Sequence, residues 1–228
     1  LPASVIRDVL DEKIAEIQAT DGRNVGRKEK MELKEQITDD LLPRALTRSR
    51  YTEAIIDVPG KLLLVNQSNS NRAENFVSQL RQALGSLPAA LPRTVESPTS
   101  LMTAWLEQSE AAGNFELDSD CELKGVGDAA PVIKISKQDL AADEVKQHLE
   151  HGKICTQLGL VWNNQIRFIL NEDMSLKRIQ YLDMLQEEAA NQGDDMESLM
   201  TATQIIMTQN LSLLIQELID HLGGLIQA

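Results

Sequence analysis

The apolar residues of this chain change their period at Tyr51, and no other feature limits the fold as much. Before that point Val5, Ile6, Val9, Leu10, Ile14 and Ile17 recur at helical steps, predicting an amphipathic helix that opens at Pro2 and stops near Asp21 and Gly22. After a polar turn over 22–26, a second helix is predicted from about Arg27, with Met31, Leu33, Ile37, Leu41 and Leu42 inward and Pro43 ending it. The pair forms a helical hairpin with a basic tip. Beyond Tyr51 the residues Ala54, Ile55, Ile56 and Val58, then Pro59 and Gly60, then Leu62, Leu63, Leu64 and Val65 read as two strands around a tight turn. Residues 70–85 return to helical spacing and complete a ββα unit, and Pro88, Pro92 and Pro98 lead to a short helix around Leu101, Trp105 and Leu106.

Residues 115–124 alternate, with Phe115, Leu117, Cys121 and Leu123 on one side and Glu116, Asp118, Asp120, Glu122 and Lys124 on the other, which describes a strand with one wet face. A strand over 132–135, a helix over 139–151 and strands over 154–162, 165–170 and 176–182 are expected next, then an acidic loop over 187–197 and a helix over 200–222 that is apolar on most sides. The fold class is α+β: a protruding helical hairpin plus mostly antiparallel sheets with packed helices. Three segments are expected: residues 1–46, the hairpin; 47–114, the ββα unit and short helix; and 115–228, a second α+β unit ending in the long helix.

At 228 residues, with 42% hydrophobic and 25% charged, the chain has a globular rather than a disordered composition, and 3% aromatics leave aliphatic side chains to fill the interior. No run reaches the roughly 18 apolar residues of a bilayer span, and no secretion signal opens the chain, so a cytoplasmic protein without membrane contact is expected. Cys121 and Cys155 stand far apart, as two reduced, half-buried thiols would. The net charge of −13 is unevenly spread. Residues 23–50 are net basic, with Arg23, Arg27, Lys28, Lys30, Lys34, Arg44, Arg48 and Arg50 against five carboxylates, and a polyanion would dock there. Glu29, Glu32 and Glu35 interleave with these cations at helical spacing, which also describes a solvated, ion-paired face.

Motifs for catalysis are missing from the sequence. Glu144, His148 and His151 could share a helical face and hold zinc, but a histidine before Gly152 equally fits a helix C-terminus. Asp118, Asp120 and Glu122 could hold Mg²⁺ as in a nuclease, or form a solvated strand face. The chain has no Walker A sequence, dinucleotide glycine fingerprint or Gly-x-Ser-x-Gly elbow. The expectation is a protein with no enzyme activity, no catalytic residue, no metal and no cofactor. Zinc-finger spacing, RRM aromatics and a basic zipper are also lacking, so DNA binding would run through phosphates, with little sequence preference and a steep salt dependence.

Several motifs in order resemble RdgC, the bacterial family of recombination-associated DNA-binding proteins. They are the opening Leu1 and Pro2, the helix end Leu41, Leu42, Pro43, Arg44 and Ala45, and the turn Leu84, Gly85, Ser86, Leu87 and Pro88. Thr103 to Trp105, Lys137 to Leu140, Ser175 to Arg178, and Gly223 with Gly224 continue the series over nearly the whole chain. Family chains are longer at the N-terminus, which fits a start at Leu1 and an N-terminal segment lacking here.

The resemblance implies a curved subunit of a ring-shaped homodimer, closed at both ends, with duplex DNA in a positively lined hole and single-stranded DNA as a further ligand. It implies a nucleoid-associated regulator of DNA recombination that restrains RecA. The hairpin would be the family's finger-like projection, making Arg23, Arg27, Lys28, Lys30, Lys34 and Arg44 phosphate contacts. Leu46 would stand at one apolar subunit contact, and Lys137 and Gln138 at the other, with Lys137 also able to face DNA. A scaffold that acts directly on a recombinase or replication protein is the alternative function.

Overall fold

A computed structural model describes residues 1–47, 49, 51–125, 127, 130–183 and 195–226, so Arg48, Arg50 and most of the expected acidic loop fall outside the described residues. The chain forms two compact units, Leu1–Tyr51 and Thr52–Ala228.

The first unit is the expected hairpin, with α1 at Ala3–Asp21 and α2 at Arg27–Leu41, followed by a 3₁₀ turn at Leu42–Arg44. Gly22 ends α1 at φ +64°, and its N–H reaches the Gln18 carbonyl. Among the described residues of this unit, Val25 and Ile37 are buried. Met31, expected inward, is 66% exposed because it sits roughly 120° round α2 from Ile37. Leu42 is exposed as well, lying past the helix end in the 3₁₀ turn.

The second unit is α+β with antiparallel sheets. β1 (Glu53–Asp57) and β2 (Leu62–Asn66) pair as a hairpin, followed by α3 (Ser70–Leu84) and α4 (Pro98–Gln108). A five-stranded sheet runs in the order β4-β3-β5-β6-β7, built from β3 (Phe115–Lys124), β4 (Val132–Ile135), β5 (Ile154–Trp162), β6 (Ile166–Asn171) and β7 (Leu176–Tyr181). Helix α5 (Asp143–Glu150) lies between β4 and β5 in sequence, and α6 (Met196–His221) ends the unit. The α5 helix starts later than its periodicity suggests because Asp139 Oδ1 accepts the Ala141 N–H at 2.9 Å and holds a turn first. α6 starts earlier because Asp195 caps it, accepting the Ser198 N–H at 2.9 Å. Among the described residues no helix is long and apolar enough to cross a membrane.

One face of the sheet is the core. Leu158, Leu160 and Trp162 of β5 and Ile166, Phe168 and Leu170 of β6 alternate inward, beneath Met102, Trp105 and Leu106 of α4, Val145 of α5 and Leu214 and Leu218 of α6. Few as they are, the rings converge there: Trp105 and Phe115 lie 5.5 Å apart, and Phe115 meets Phe168 edge-on at 6.4 Å. An interior filled by aliphatic residues alone is therefore not what forms. Both cysteines are buried in this core, and burial, then the nearby Asp120, pushes the Cys121 thiol up to about 12. α6 is buried here at Ile206, Leu214, Leu218 and Ile219. From Ser198 to Gln216 the helix has no charged residue, and Met200, Ile205 and Leu213 are exposed.

Glu217 ties α6 to the sheet. Its carboxylate accepts the Trp162 indole N–H at 2.8 Å, the Asn114 backbone N–H at 2.8 Å and the Asn114 side-chain amide at 3.1 Å. His221 lies one turn on, 3.8 Å from the same carboxylate. Gly113, at φ +67°, has no room for a Cβ, which would come within 2.5 Å of both Glu217 and His221. Burial pushes the Glu217 carboxyl up, but the Asn114 and Trp162 donors together outweigh it and hold the group below the usual carboxylate range. A depressed folded pKa contributes stability that is full above the unfolded value of about 4.3 and is lost as pH falls through the folded value. Glu217→Gln is expected to cost about 1–3 kcal/mol in urea unfolding at pH 7. The variant should also lose less stability than the parent between pH 5 and pH 3.

Candidate nucleic-acid interface

The hairpin cations separate into two groups. Arg23, in the turn, gives a bidentate pair to Glu29 at 2.7 and 2.8 Å and lies 3.4 Å from Asp21. The Arg23 hydrogen bond holds the Glu29 carboxyl below its ordinary range. Lys28 lies 3.8 Å from Glu32, one turn along. Arg27, Lys30 and Lys34 are exposed, and among the described residues none has a carboxylate within ion-pair distance. At positions i, i+3 and i+7 these three fall within about 60° of one another on α2. Glu32, Glu35 and Asp39 occupy the flank roughly 140° away, with Lys28 among them. The interleaving seen in the sequence thus becomes, in three dimensions, one cationic stripe and one mixed stripe.

Arg44 lies in the 3₁₀ turn and is exposed, and Leu46 beyond it is 101% exposed. In the second unit Lys137 sits at φ +56°, with its backbone N–H on Asp120 Oδ1 at 3.1 Å and its side chain exposed. Gln138 donates its backbone N–H to the Ser119 carbonyl at 3.2 Å and its side-chain amide to Glu144 at 2.9 Å. Glu144 is therefore occupied away from His148 and His151, and His151 at the end of α5 bonds back to the Gln147 carbonyl. Among the described residues no cluster of His, Cys, Asp and Glu could hold a metal ion.

Three of the four carboxylates on the wet face of β3 each meet a cation from another strand. Asp118 is 3.3 Å from Arg167 of β6, Asp120 is 3.5 Å from Arg178 of β7, and Glu122 is 3.1 Å from Lys134 of β4. Gly159 on β5 makes room for the first two, since a Cβ there would lie 3.0 Å from the Asp120 carbonyl and 3.3 Å from the Asp118 side chain. The result is a ladder of ion pairs across the outer face of the sheet rather than three carboxylates converging on one point.

Against known proteins, residues 1–225 match the family described as "Putative exonuclease, RdgC". A "Recombination-associated protein RdgC" of Neisseria meningitidis serogroup C is 62% identical over 224 residues, covering 98% of this chain and 75% of the relative. Its counterpart in Laribacter hongkongensis is 53% identical, covering 98% and 74%, and that of Pseudomonas paraeruginosa is 38% identical with the same coverage. The chain belongs to the RdgC family.

This RdgC-family chain also carries cations on the sheet, Arg167 and Arg178, which sequence reading did not nominate. Arg167 and Arg178 stand in β6 and β7 outside the core-facing alternation of Ile166, Phe168 and Leu170, and that alternation was the available signal. Their carboxylate partners lie tens of residues away in sequence, which no local pattern reveals. Asp118→Asn is expected to release Arg167 and make the protein elute from heparin at higher salt than the parent; an unchanged elution would show that the arginine stays masked.

Proposed function

We propose that this RdgC-family protein binds duplex DNA without sequence preference, as a ring-shaped homodimer that encircles it. By occupying DNA it restrains RecA-mediated recombination, and it catalyses no reaction of its own. The observation carrying this reading is the stripe of Arg27, Lys30 and Lys34, three exposed cations on one face of one helix that have no carboxylate partner among the described residues. Arg27 and Lys34 lie about 10 Å apart along the axis, so neighbouring phosphates of one backbone come within reach of all three side chains. Such contacts release counterions and carry no base information, which gives affinity without sequence preference. The relatives' own name, recombination-associated protein, supports the cellular role. Arg44 and Lys137 add exposed positive charge, and single-stranded DNA presents the same phosphates. In the cell this function belongs to the nucleoid, within the cytoplasm.

In the dimer Leu46 makes one subunit contact, and Lys137 with Gln138 makes the other. Full exposure of an aliphatic side chain favours this role for Leu46, because association removes it from water. Leu46→Ser is expected to weaken self-association, read as a fall in weight-average mass in sedimentation equilibrium.

The binding reading is tested by titrating circular duplex DNA with the parent protein and with the triple variant Arg27→Ala, Lys30→Ala, Lys34→Ala over a range of salt. The triple variant is expected to bind more weakly, with a log–log salt slope shallower by about 2–3, close to 0.9 per lost phosphate contact. Arg23→Ala is expected to change the slope less, since Glu29 already holds that guanidinium. With Mg²⁺ present the DNA is expected to stay intact throughout. Unchanged affinity of the triple variant would overturn the assignment of this stripe.

A further inference from the structure

Lys137 and Glu116 line one groove of the second unit yet stay apart. The groove, about 850 Å³ in volume, is bounded by β3 from Phe115 to Ser119, by residues between 109 and 113 after α4, and by the 137–141 loop. Two hydrogen bonds fix that loop to the strand. The Lys137 N–H donates to Asp120 Oδ1 at 3.1 Å, and the Gln138 N–H donates to the Ser119 carbonyl at 3.2 Å. The cation is therefore anchored beside Asp120, whereas Glu116 lies four residues back along β3, about 13 Å at the usual strand rise. Both side chains are exposed, and among the described residues neither has an ion-pair partner.

The other polar groups of the groove are engaged within the chain. The Gln138 side-chain amide donates to Glu144 at 2.9 Å, which leaves the charge at that end to Lys137. Asp118 lies 3.3 Å from Arg167, and Asp139 Oδ1 accepts the Ala141 N–H at 2.9 Å. Glu116, by contrast, is a carboxylate without a cation on a backbone held by its pairing with Val161 of β5.

In a two-fold dimer, residue i of one copy meets j of the other while j meets i. An axis crossing β3 near Asp118, midway between Glu116 and Asp120, carries Lys137 of each copy onto Glu116 of the other. Asp118, the carboxylate closest to that axis, is already matched by Arg167, so bare like charges do not meet at the centre. Leu117, Ala111 and Leu140 pack beneath the groove and offer apolar surface to the methylene stem of an entering lysine. A phosphate backbone laid in the same place would instead meet Glu110, Glu116 and Asp139.

We infer that in the homodimer Lys137 of each subunit enters this groove of the other and pairs with the partner's Glu116, giving two reciprocal ion pairs about one two-fold axis. The inference rests on the homodimer reading above and names what Lys137 meets there. The cation and the carboxylate are held too far along one strand to satisfy each other within a subunit, and the symmetry of the pair brings them together between subunits. Lys137 is also what makes the face self-complementary: without it the groove would present carboxylates to its own image and repel it.

The test is the dimer dissociation constant, measured by sedimentation equilibrium for the intact parent, for Lys137→Glu, for Glu116→Lys and for the double variant carrying both changes. Both positions are on the surface, and both contacts of a ring contribute to the measured constant, so a loss at one end is read while the other holds. Each single reversal sets like charges together and is expected to raise the constant about tenfold or more. The double variant exchanges the signs but keeps them complementary, and is expected to return to within about threefold of the parent. Single reversals without effect on a dimeric parent would overturn the pairing and leave the homodimer standing. A double variant whose loss is the product of the two single losses would do the same. A parent that stays monomeric at every concentration would overturn the homodimer reading and the pairing with it.

Discussion

Burial of one face of the five-stranded sheet is the constraint from which the rest follows. The inward residues of β5 and β6 form a continuous apolar surface that α4, α5 and, from Ile206 onwards, α6 cover. Because side chains alternate strictly along a strand, covering one face commits every other residue to the opposite one. That outer face inherits the carboxylates of β3 and the cations of β4, β6 and β7, and they meet as pairs because neighbouring strands bring them within 3.1–3.5 Å. Glu217 completes the arrangement from the helix side, fixing α6 to the start of β3 and the end of β5.

Charge is handled differently in the two units. On the sheet, where backbone positions are fixed, most outer-face cations are matched by carboxylates and little free field remains. On α2 the same mixture is sorted by helical angle, leaving Arg27, Lys30 and Lys34 without a carboxylate partner among the described residues. The chain is strongly acidic in sum, yet its surface offers a local cationic stripe on a helix with almost no core of its own, where side-chain mobility costs no packing. Net charge alone therefore says little about what such a protein touches.

Much of the architecture was legible from periodicity. The helical steps before Tyr51, the two-residue alternation of 115–124 and the turn at Asn163 and Asn164 each match an observed element. Legibility failed where a single capping or turn side chain sets a boundary, as Asp139 and Asp195 do for α5 and α6. It failed again in the core, because a low aromatic fraction does not reveal that Trp105, Phe115, Trp162 and Phe168 gather in one place. In the candidate interface the eight cations between Arg23 and Arg50 were visible at once. That Glu29 would engage Arg23 from across a turn, and that the masking of Arg167 and Arg178 depends on strand neighbours distant in sequence, were not. Local patterns encode elements, whereas ion pairing is settled by topology.

Lys137 and Arg178 hold left-handed backbone, at φ +56° and +52°, where glycine would sit without penalty. Each keeps its cationic side chain at a conformational cost of order 1–2 kcal/mol. A laboratory selection for heat tolerance alone would thus tend to drift towards glycine at both positions, and the hardier molecules it yields would have shed positive charge beside Asp120.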